Sequence, residues 1–383
     1  MTEQKPVKIL IVASWYPSPD HPVSNIFVHE QAAALVRAGY DVAVINTEIV
    51  SFKSKAHWGK SFREADGVKI FQLTVPVYGR GKAKPYIDVT NRAMRYLYGK
   101  ASKSWGKPDI IHIHSSRFAG PIGVKLAKEH SIPCVLTEHL SKIIHKTMNE
   151  DEKKCLTKAI RGAGKVIAVS PSLAEELKNF GCENPIYIPN VVDGRLFNYA
   201  PKSHGDFTFI STAWLSKRKG MDILIRAFGK LKNKHPYLKL KICGSGAELD
   251  ALKNLAAQLE LADSVEFTGE RDRAQLCQEL NSSDCFVLAS YAETFGVVYI
   301  EALACGLPVI ATRCGGPEGI VNDTNGILVD TGDVDALCAA MEKIYSERDS
   351  YSGAALRKGC LDLYGCEVVV SQLSDVYNSL LDI

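Results

Sequence analysis

The chain has 383 residues, 46% of them hydrophobic, and a formal net charge of only +3, so its length and apolar content allow two domains with full cores. Its 11 cysteines are scattered and include no C-x-x-C pair, which argues against a disulfide framework or a zinc site and indicates reduced thiols in a cytoplasmic protein. The N-terminus has no signal-peptide pattern and no run approaches about 18 apolar residues, so we expect a protein that is soluble or at most peripherally attached to a membrane.

The charge is unevenly distributed along the chain. Residues 1–195 contain 28 Lys+Arg and 18 Asp+Glu, a balance of +10, whereas residues 196–383 contain 18 and 25, a balance of −7. This asymmetry favours an anionic partner for the first half, such as a phospholipid surface, a lipid-linked phosphate or nucleic acid. The alternative is an imbalance that only helps the two halves to associate.

The first elements predict a parallel sheet. Residues 8–14 form a short apolar run typical of a fully buried strand, and residues 15–25 contain three prolines that exclude a regular helix. A helix is expected over residues 26–38, closed by Gly39, and a second strand over residues 41–45. Because ligands of such sheets bind outside the carboxyl ends of the strands, the loop after the first strand should lie at the binding edge.

Residues 50–107 are less regular and mix basic with aromatic side chains. Such a mixture suits a surface that inserts aromatic rings among lipid headgroups while its cations meet phosphates. A simple solvated loop is the alternative. The residues concerned are Lys53, Lys55, His57, Trp58, Lys60, Phe62 and Arg63, followed by Tyr78, Arg80, Lys82, Lys84 and Tyr86.

Two histidines lie on the next predicted strand. Residues 109–114 place His112 and His114 on one face, with His114 at the carboxyl end. The strand that follows ends with Glu138 and His139, which reach the same edge. A lone histidine is usually a structural residue, but two at successive strand ends beside a carboxylate indicate a site. A metal is not implied, because no third ligand is evident.

The same alternation of strands and helices restarts in the second half. A polar stretch at residues 196–206 is the expected linker, and it separates an N-terminal domain, residues 1–196, from a C-terminal domain, residues 207–365. Both are predicted to be doubly wound parallel sheets of the α/β class. A final helix at residues 366–383 needs a surface to pack on, and a return to the N-terminal domain is one option. Residues 325–329 are expected to be a hairpin-like piece.

A basic loop at residues 217–219 precedes a predicted helix. The helix dipole disfavours cations at an N-terminus by about 0.3–1 kcal/mol each, and a bound anion would remove that conflict. A diphosphate is a natural ligand for Lys219 and Arg218. Gly244 and Gly246 are a weaker signal, since the third glycine of a dinucleotide fingerprint is missing.

Two carboxylates, Glu293 and Glu301, bracket a predicted helix that runs from about Phe295 to Gly306. Eight residues of helix place the two side chains about 80° apart in azimuth and about 12 Å apart along the axis. That spacing is too wide for work on a single atom, but it suits the two ends of an elongated ligand whose anionic middle lies at the helix N-terminus. A sugar, a diphosphate and a ribose in a row would fit. The alternative is an ordinary strand-turn-helix unit.

Together these motifs resemble the retaining glycosyltransferases of family four, whose GT-B fold has two facing Rossmann-like doubly wound domains with an inter-domain cleft. The resemblance covers nearly the full chain, and the glutamate pair followed by Gly306-Leu307-Pro308-Val309 is fairly specific to such enzymes. The chain departs from the family pattern at Trp214, where an arginine is common, and at Ser24-Asn25, where a glycine pair is common. The matching motifs are Trp15-Tyr16-Pro17, Phe27-Val28, Glu30-Gln31, His112-Ile113-His114, Ile188-Pro189-Asn190, Lys219-Gly220, Gly244-Ser245-Gly246 and Glu293-Thr294-Phe295-Gly296 through Glu301-Ala302.

The resemblance implies an acceptor site in the first domain and a nucleotide-sugar site in the second. Glu293 would contact the donor sugar, Glu301 the ribose hydroxyls, and Lys219, with Arg218, the diphosphate. His114 would meet the donor sugar from the opposite domain, which makes Glu293, His114 and Lys219 the implied catalytic set. The other implied donor-binding positions are Gly244, Phe295, Gly296 and Val297, and the implied acceptor-side positions are Ser24, Asn25, Glu138 and His139.

The activity that the resemblance implies is retaining transfer of a hexose-type sugar from a UDP- or GDP-sugar, with a lipid-linked or growing surface polysaccharide as the expected acceptor. In the mechanism proposed for the family the leaving diphosphate helps to deprotonate the acceptor, and no cofactor, metal or nucleic acid is required. We expect a cytoplasmic enzyme, with peripheral contact to the inner face of the cell membrane through its N-terminal domain as an option. The alternatives are a nucleotide-sugar epimerase of the same fold and a non-catalytic subunit that binds glycan or membrane.

Overall fold

Two sheets organise the chain, each within its own unit. The computed structural model describes residues 5–53, 56–77, 83–200 and 205–381. The first unit comprises Met1–Val191 and Cys366–Ile383, and the second comprises Val192–Gly365, so the boundary precedes the expected linker and the final helix belongs to the first unit. The parts of the expected linker and basic segment that lie outside the described residues are 201–204, Lys55, Tyr78, Arg80 and Lys82, together with the side chain of Lys84.

The first unit contains an eight-stranded sheet in the order β3-β4-β2-β1-β5-β6-β7-β8, in which neighbours are parallel except for β3 with β4. The strands are β1 (Lys8–Ala13), β2 (Asp41–Ser51), β3 (Gly59–Ala65), β4 (Val68–Val77), β5 (Ile110–His114), β6 (Cys134–Glu138), β7 (Lys165–Ala168) and β8 (Ile186–Tyr187). The helices are α1 (Ile26–Arg37), α2 (Ala83–Ser104), α3 (Ala119–His130), α4 (Ser141–Ile144), α5 (Glu150–Gly162), α6 (Pro171–Lys178) and the final helix α13 (Cys366–Leu381).

The central strand of this sheet is β1. Its residues Ile9 to Ala13 are fully buried, as expected for an apolar run in a parallel sheet. β2 pairs with one side of β1 and β5 with the other, so the winding direction of the chain reverses at this strand. A crevice outside the carboxyl ends of β1 and β5 is therefore the expected ligand position in this unit.

The segment expected to be less regular, residues 50–107, is largely regular. β3 and β4 form an antiparallel hairpin that turns at Asp66 and Gly67, whose φ angles are 52° and 76°, and α2 follows. The apolar signal is weak here because β3 lies at the edge of the sheet, where exposed residues alternate with half-buried ones.

The second unit contains a six-stranded sheet, β11-β10-β9-β12-β13-β14, in which every neighbouring pair is parallel. Because β14 is parallel to β13, the expectation of a hairpin-like piece at residues 325–329 is wrong. The strands are β9 (Thr208–Thr212), β10 (Lys239–Cys243), β11 (Val265–Gly269), β12 (Cys285–Leu288), β13 (Val309–Thr312) and β14 (Gly326–Val329). The helices are α7 (Met221–Lys232), α8 (Leu249–Gln258), α9 (Arg273–Asn281), α10 (Val297–Ala304), α11 (Val334–Ser346) and α12 (Gly353–Tyr364), with short 3-10 turns at Lys217–Lys219, Pro317–Gly319 and Arg348–Ser350.

The final helix α13 is fixed to the first sheet through a buried polar contact. Tyr377 is fully buried, and its hydroxyl forms a hydrogen bond of 2.7 Å with Nδ1 of His112 on β5. The other ring nitrogen of His112 forms a second hydrogen bond of 2.7 Å with the Thr137 hydroxyl on β6. His112 therefore has both nitrogens satisfied inside the core, which indicates a structural role.

Replacement of Tyr377 by Phe should destabilise the first unit. It removes one hydroxyl and leaves a buried nitrogen of His112 without its partner, which should lower the free energy of unfolding by about 1–3 kcal/mol. Urea denaturation of the purified chain measures the loss. The matched control is Tyr237→Phe, because Tyr237 is 80% exposed and its hydroxyl is available to water. Equal losses in the two variants would contradict this account of α13.

Candidate functional site

The second sheet has its own reversal of winding between β9 and β12. β9 pairs with β10 on one side and with β12 on the other, which is the topology that leaves a crevice outside the carboxyl ends. The loops that leave these two strands are residues 213–220 and residues 289–296. Lys219 lies on the first loop and Glu293 on the second, so the sheet itself brings these two residues together.

Glycine allows the two loops to touch through their backbones. Gly220 has a φ of 59°, and a Cβ at this position would lie 2.0 Å from the carbonyl oxygen of Ala289. Beside it, the carbonyl oxygen of Arg218 accepts hydrogen bonds from the Tyr291 amide at 2.8 Å and the Ser290 hydroxyl at 3.2 Å. The position of Lys219 is thus fixed by its neighbours on both sides.

Lys219 and Glu293 form a short ion pair at this edge. The Lys219 ammonium donates a hydrogen bond of 2.5 Å to Oε1 of Glu293, and the side chains are only 15% and 12% exposed. Because the pair is partly desolvated, each charge is held in place by its partner. A ligand with phosphate and hydroxyl groups can replace either partner. The pair therefore offers one cation and one hydrogen-bond acceptor at a single point.

The N-terminus of α10 follows Glu293 directly. Gly296 precedes the helix with a φ of 94°, and a Cβ there would lie 2.5 Å from the ring of Tyr299. Phe295 is buried and packs edge-on against Tyr364, with 5.8 Å between ring centroids. The first amides of a helix have no partner within the helix, so the residues from Gly296 onward form a ready anion site.

Glu301 lies deeper than its sequence position suggests. Its side chain is only 2% exposed, and Oε1 accepts a hydrogen bond of 2.8 Å from the Arg273 guanidinium at the start of α9. The guanidinium also lies over the ring of Phe197, 4.5 Å from the centroid. The other carboxylate oxygen, Oε2, has no hydrogen-bond partner in the described part of the chain. Glu301 is thus held through one oxygen, and the other is a buried acceptor that the described residues leave unused.

Ser14 organises the carboxyl edge of the first sheet. Its hydroxyl donates to the Ser115 carbonyl at 3.0 Å and accepts from the amides of Phe118 and Ala119 at 3.2 and 3.0 Å. Ser115 has a φ of 68°, a left-handed conformation that is uncommon outside glycine. Strained residues of this kind concentrate at functional sites, and this one ends β5 beside His114.

Three histidine rings stack at that edge. His114 lies 4.3 Å from His112 and 5.3 Å from His139 between ring centroids, and Nδ1 of His114 forms a hydrogen bond of 3.1 Å with Nε2 of His139. Across the described residues, Nε2 of His114 and the hydroxyls of Ser115 and Ser116 have no hydrogen-bond partner, although all three side chains are buried. The edge thus has unused hydrogen-bonding capacity.

Burial keeps these rings neutral. Desolvation lowers the pKa of His112 to about 3, with a smaller effect from His139, and it lowers the pKa of His114 well below the usual value. Desolvation also lowers the pKa of His139 to about 3. A neutral His114 can donate or accept a hydrogen bond at Nε2, but it supplies no charge.

Glu138 ends β6 at this edge, and its carboxylate is directed at backbone amides. It is fully buried, and its carboxylate accepts hydrogen bonds from the amides of Ser116 at 2.9 Å, His139 at 2.8 Å and Leu140 at 3.0 Å. Both oxygens are thereby occupied. Glu138 therefore positions the backbone around Ser116, His139 and Leu140.

Comparison with known proteins covers both units. Residues 24–195 match the model described as Glycosyltransferase Family 4, and residues 195–355 match the model described as Glycosyl transferases group 1, so the two matches together span most of the chain.

The chain belongs to glycosyltransferase family 4.

Relatives and solved structures agree with this membership. Glycogen synthase of Mycobacterium tuberculosis is 24% identical over 361 residues, which cover 89% of this chain and 86% of that protein. The GDP-mannose-dependent alpha-(1-6)-phosphatidylinositol monomannoside mannosyltransferase of Mycolicibacterium smegmatis is 36% identical over 158 residues, 39% of this chain and 41% of that one. A crystal structure of Anabaena HepE in complex with UDP has a TM-score of 0.73 at 20% identity and covers 98% of this chain and all of that one. The glycosyltransferase thus has the GT-B type of fold.

Some of the implied site residues of this glycosyltransferase contact one another, whereas others differ in how deeply their side chains are buried. Lys219 and Glu293 are in contact, whereas Glu301 is buried against Arg273, a residue that the sequence interpretation missed. The signal that could have found Arg273 is Asp272, which caps the helix that Arg273 begins. The remaining donor-side positions lie at the same edge: Arg218 is exposed beside Lys219, Gly244 follows β10, and Phe295, Gly296 and Val297 form the start of α10.

Among the implied acceptor-side residues, Ser24 is exposed, and its hydroxyl accepts a hydrogen bond of 3.0 Å from the side-chain amide of Asn25. Asn25 precedes α1 with a φ of 52°. Asparagine tolerates this left-handed conformation better than most residues, which explains how it can stand where the family has glycine.

In the described residues, no group of three or more His, Cys, Asp and Glu side chains could hold a metal ion. None of the helices in those residues is both long and apolar enough to span a bilayer.

The free energy of unfolding should fall as the pH drops below about 6.5. Because burial lowers the pKa of His112 and His114, protons bind mainly to the unfolded chain, and stability is complete above the unfolded pKa and lost as the pH falls toward about 3. Each histidine should contribute a slope of about 1.4 kcal/mol per pH unit. Urea titrations between about pH 7.5 and about pH 5 measure it.

The variant His112→Gln should reduce that slope by about 1.4 kcal/mol per pH unit, because it removes one protonation from the unfolded state. His130→Gln is the control, since His130 is exposed. An unchanged slope in the His112 variant would show that the ring is not held neutral by burial.

Proposed function

We propose that the enzyme is a retaining hexosyltransferase that moves a sugar from a UDP- or GDP-sugar to a lipid-linked or growing polysaccharide acceptor. The observation that carries this proposal is the Lys219–Glu293 pair at the reversal point of the second sheet, beside the free amides of α10. A cation, a carboxylate that can accept hydrogen bonds and a helix N-terminus lie together at this point. They suit the negative charge and the hydroxyls of a diphosphate joined to a sugar.

In this proposal the second unit binds the donor in three parts. Lys219, Arg218 and the amides from Gly296 onward would hold the diphosphate, and Glu293, released from Lys219, would accept hydrogen bonds from sugar hydroxyls. Oε2 of Glu301, which is buried and has no partner among the described residues, would accept a ribose hydroxyl while Arg273 holds the other oxygen. These cations and amides supply the positive charge, so we propose that transfer requires no metal.

In this proposal, transfer is promoted by stabilisation of the negative charge that develops on the leaving group. As the bond between sugar and diphosphate breaks, negative charge grows on the leaving phosphate, where Lys219 and the α10 amides are already placed. The same phosphate oxygen would take the proton of the incoming acceptor hydroxyl, which attacks from the same face and retains the configuration. In the first unit, the neutral His114 would form one hydrogen bond with a substrate hydroxyl through Nε2.

The names of relatives support the substrate classes. The Mycolicibacterium relative is described as using GDP-mannose and a phosphatidylinositol mannoside, and the Anabaena structure of the same fold contains UDP. Both fit a nucleotide diphosphate donor with a hexose, and the first fits a lipid-linked acceptor. On the acceptor side, we propose that Ser24, Asn25 and His139 face the acceptor, with Glu138 positioning the last of these.

Loss of the ion pair should strongly impair transfer. Lys219→Met and Glu293→Gln should each lower kcat/KM by about 100-fold, because charge stabilisation of the leaving group or sugar is lost. Release of UDP or GDP from a panel of nucleotide-sugars, with and without a polyprenyl-phosphate-linked glycan, measures the effect. EDTA should leave the rate unchanged.

Lys230→Met is the matched control for these variants. Lys230 forms an ion pair with Asp335 at 2.5 Å, but the side chains are 53% and 82% exposed and lie on α7 and α11, away from the strand ends. Its activity should stay within about twofold of wild type. Wild-type rates in Lys219→Met would refute the site, an altered sugar without transfer would indicate an epimerase, and donor binding without turnover would indicate a non-catalytic subunit.

Exposed aromatic residues of the first unit support membrane contact. Phe52, Trp58 and Phe62 are 54%, 47% and 52% exposed, and the rings of Phe52 and Trp58 lie 5.0 Å apart between centroids. Lys53 is exposed between them in sequence, and Lys60 lies over the ring of Tyr96 at 4.8 Å. We propose that this aromatic surface meets anionic headgroups at the bilayer interface.

The triple variant Phe52→Ser, Trp58→Ser, Phe62→Ser should lose vesicle binding by at least about tenfold, because it removes the apolar area that enters the interface. Flotation with phosphatidylcholine vesicles, with and without phosphatidylglycerol, measures the bound fraction. Tyr237→Ser, an exposed aromatic of the second unit, should bind as wild type. Wild-type flotation that does not depend on phosphatidylglycerol would contradict the proposal.

A further inference from the structure

Trp214 exposes a large apolar surface at the carboxyl edge of the second sheet. Its side chain is 65% exposed, and it lies on the loop that leaves β9, five residues before Lys219. An indole left in water forgoes the favourable burial of its apolar area. Nothing in the ion-pair site described above uses this ring.

The backbone that carries Trp214 is fixed on both sides. The Ala213 amide donates to the Cys243 carbonyl at 3.1 Å, and the Leu215 amide donates to the Ser245 carbonyl at 2.8 Å. The side chain of Leu215 is fully buried. The indole is therefore held outward by an ordered loop, and its exposure is not the result of a loose segment.

Two glycines make this arrangement possible. A Cβ on Gly244 would lie 1.9 Å from the Ala213 carbonyl oxygen, and a Cβ on Gly246 would lie 2.2 Å from the Leu215 carbonyl oxygen. Both glycines have positive φ, 141° and 154°. Only glycine lets the β10 loop approach so closely, and the approach presents Trp214 at the strand ends.

Other groups on the loops at this edge of the sheet are suited to a sugar ring. Lys219 on the same loop pairs with Glu293 on the loop after β12, and that second loop also carries Tyr291, which is 42% exposed. A pyranose has polar hydroxyls and an apolar face of C–H groups. A carboxylate with an ammonium suits the hydroxyls, and an aromatic face suits the C–H groups.

We propose that Trp214 is a stacking platform for a pyranose ring of the substrate. This inference rests on the proposed hexosyl transfer and adds the residue that recognises the apolar face of the sugar. The ring can belong to the donor hexose or to the acceptor glycan. A nucleobase would also stack on an indole, and binding of UDP and GDP without a sugar distinguishes the two.

The variants Trp214→Ala, Trp214→Phe and the control Tyr237→Ala separate these sources. Tyr237 is the matched exposed aromatic, 80% exposed, and precedes β10 at the opposite edge of the same sheet. Calorimetry would measure binding of UDP, GDP, UDP-glucose, UDP-N-acetylglucosamine and GDP-mannose. Turnover of the donor that binds would then be measured against a polyprenyl-phosphate-linked glycan.

Trp214→Ala should weaken either nucleotide-sugar binding or the acceptor KM by about five- to tenfold, with UDP and GDP binding unchanged. Trp214→Phe should restore part of the loss, and Tyr237→Ala should match wild type. A loss confined to nucleotide-sugars identifies the donor hexose, and a loss confined to acceptor KM identifies the acceptor. Weaker binding of UDP or GDP themselves would overturn the proposal in favour of a base platform.

Two other results are informative. Wild-type binding and turnover in Trp214→Ala would overturn the stacking role while leaving the proposed transferase intact. If the wild-type chain bound none of the nucleotides or nucleotide-sugars, the proposed function would fail, and the inference would fail with it.

Discussion

The candidate site depends on backbone contact between two loops of the second sheet. Gly220 lies so close to the Ala289 carbonyl that a methyl group would collide with it at 2.0 Å, and this contact sets the separation between the loops after β9 and β12. The side chains of Lys219 and Glu293 meet only because their main chains already do. The same principle repeats at Gly244 and Gly246, where the β10 loop supports the loop of Trp214.

Both carboxylates of the second unit's site already have a counter-ion. Glu293 is paired with Lys219, and Glu301 with Arg273, so the protein buries these charges without leaving them uncompensated. A ligand that enters must therefore exchange partners, which favours one that presents negative charge and hydroxyls at fixed spacing. The first unit differs, because in the described part of the chain its edge has one neutral imidazole, His114, and the hydroxyls of Ser115 and Ser116 with unused hydrogen-bonding capacity.

The sequence predicted both parallel sheets and the helix between Glu293 and Glu301, because apolar runs, caps and glycines are local signals. The predictions for residues 50–107 and for β14 were wrong. An edge strand has a weak apolar pattern, and whether a strand pairs in parallel or antiparallel depends on residues far away in the sequence. Proximity of Lys219 to Glu293 follows from topology. The burial of Glu138 and the pairing of Glu301 with Arg273 are tertiary facts, and nothing in residue spacing distinguishes an available carboxylate from an occupied one.

The assignment of α13 to the first unit has a consequence for synthesis of the chain. The second unit is one continuous stretch, Val192–Gly365, but the first unit is interrupted by it and is completed only by residues translated after it. During synthesis the nascent first unit must therefore wait, with His112 lacking the hydroxyl of Tyr377, until the second unit has been translated. Ribosomal order thus favours completion of the proposed donor-binding unit before that of its neighbour.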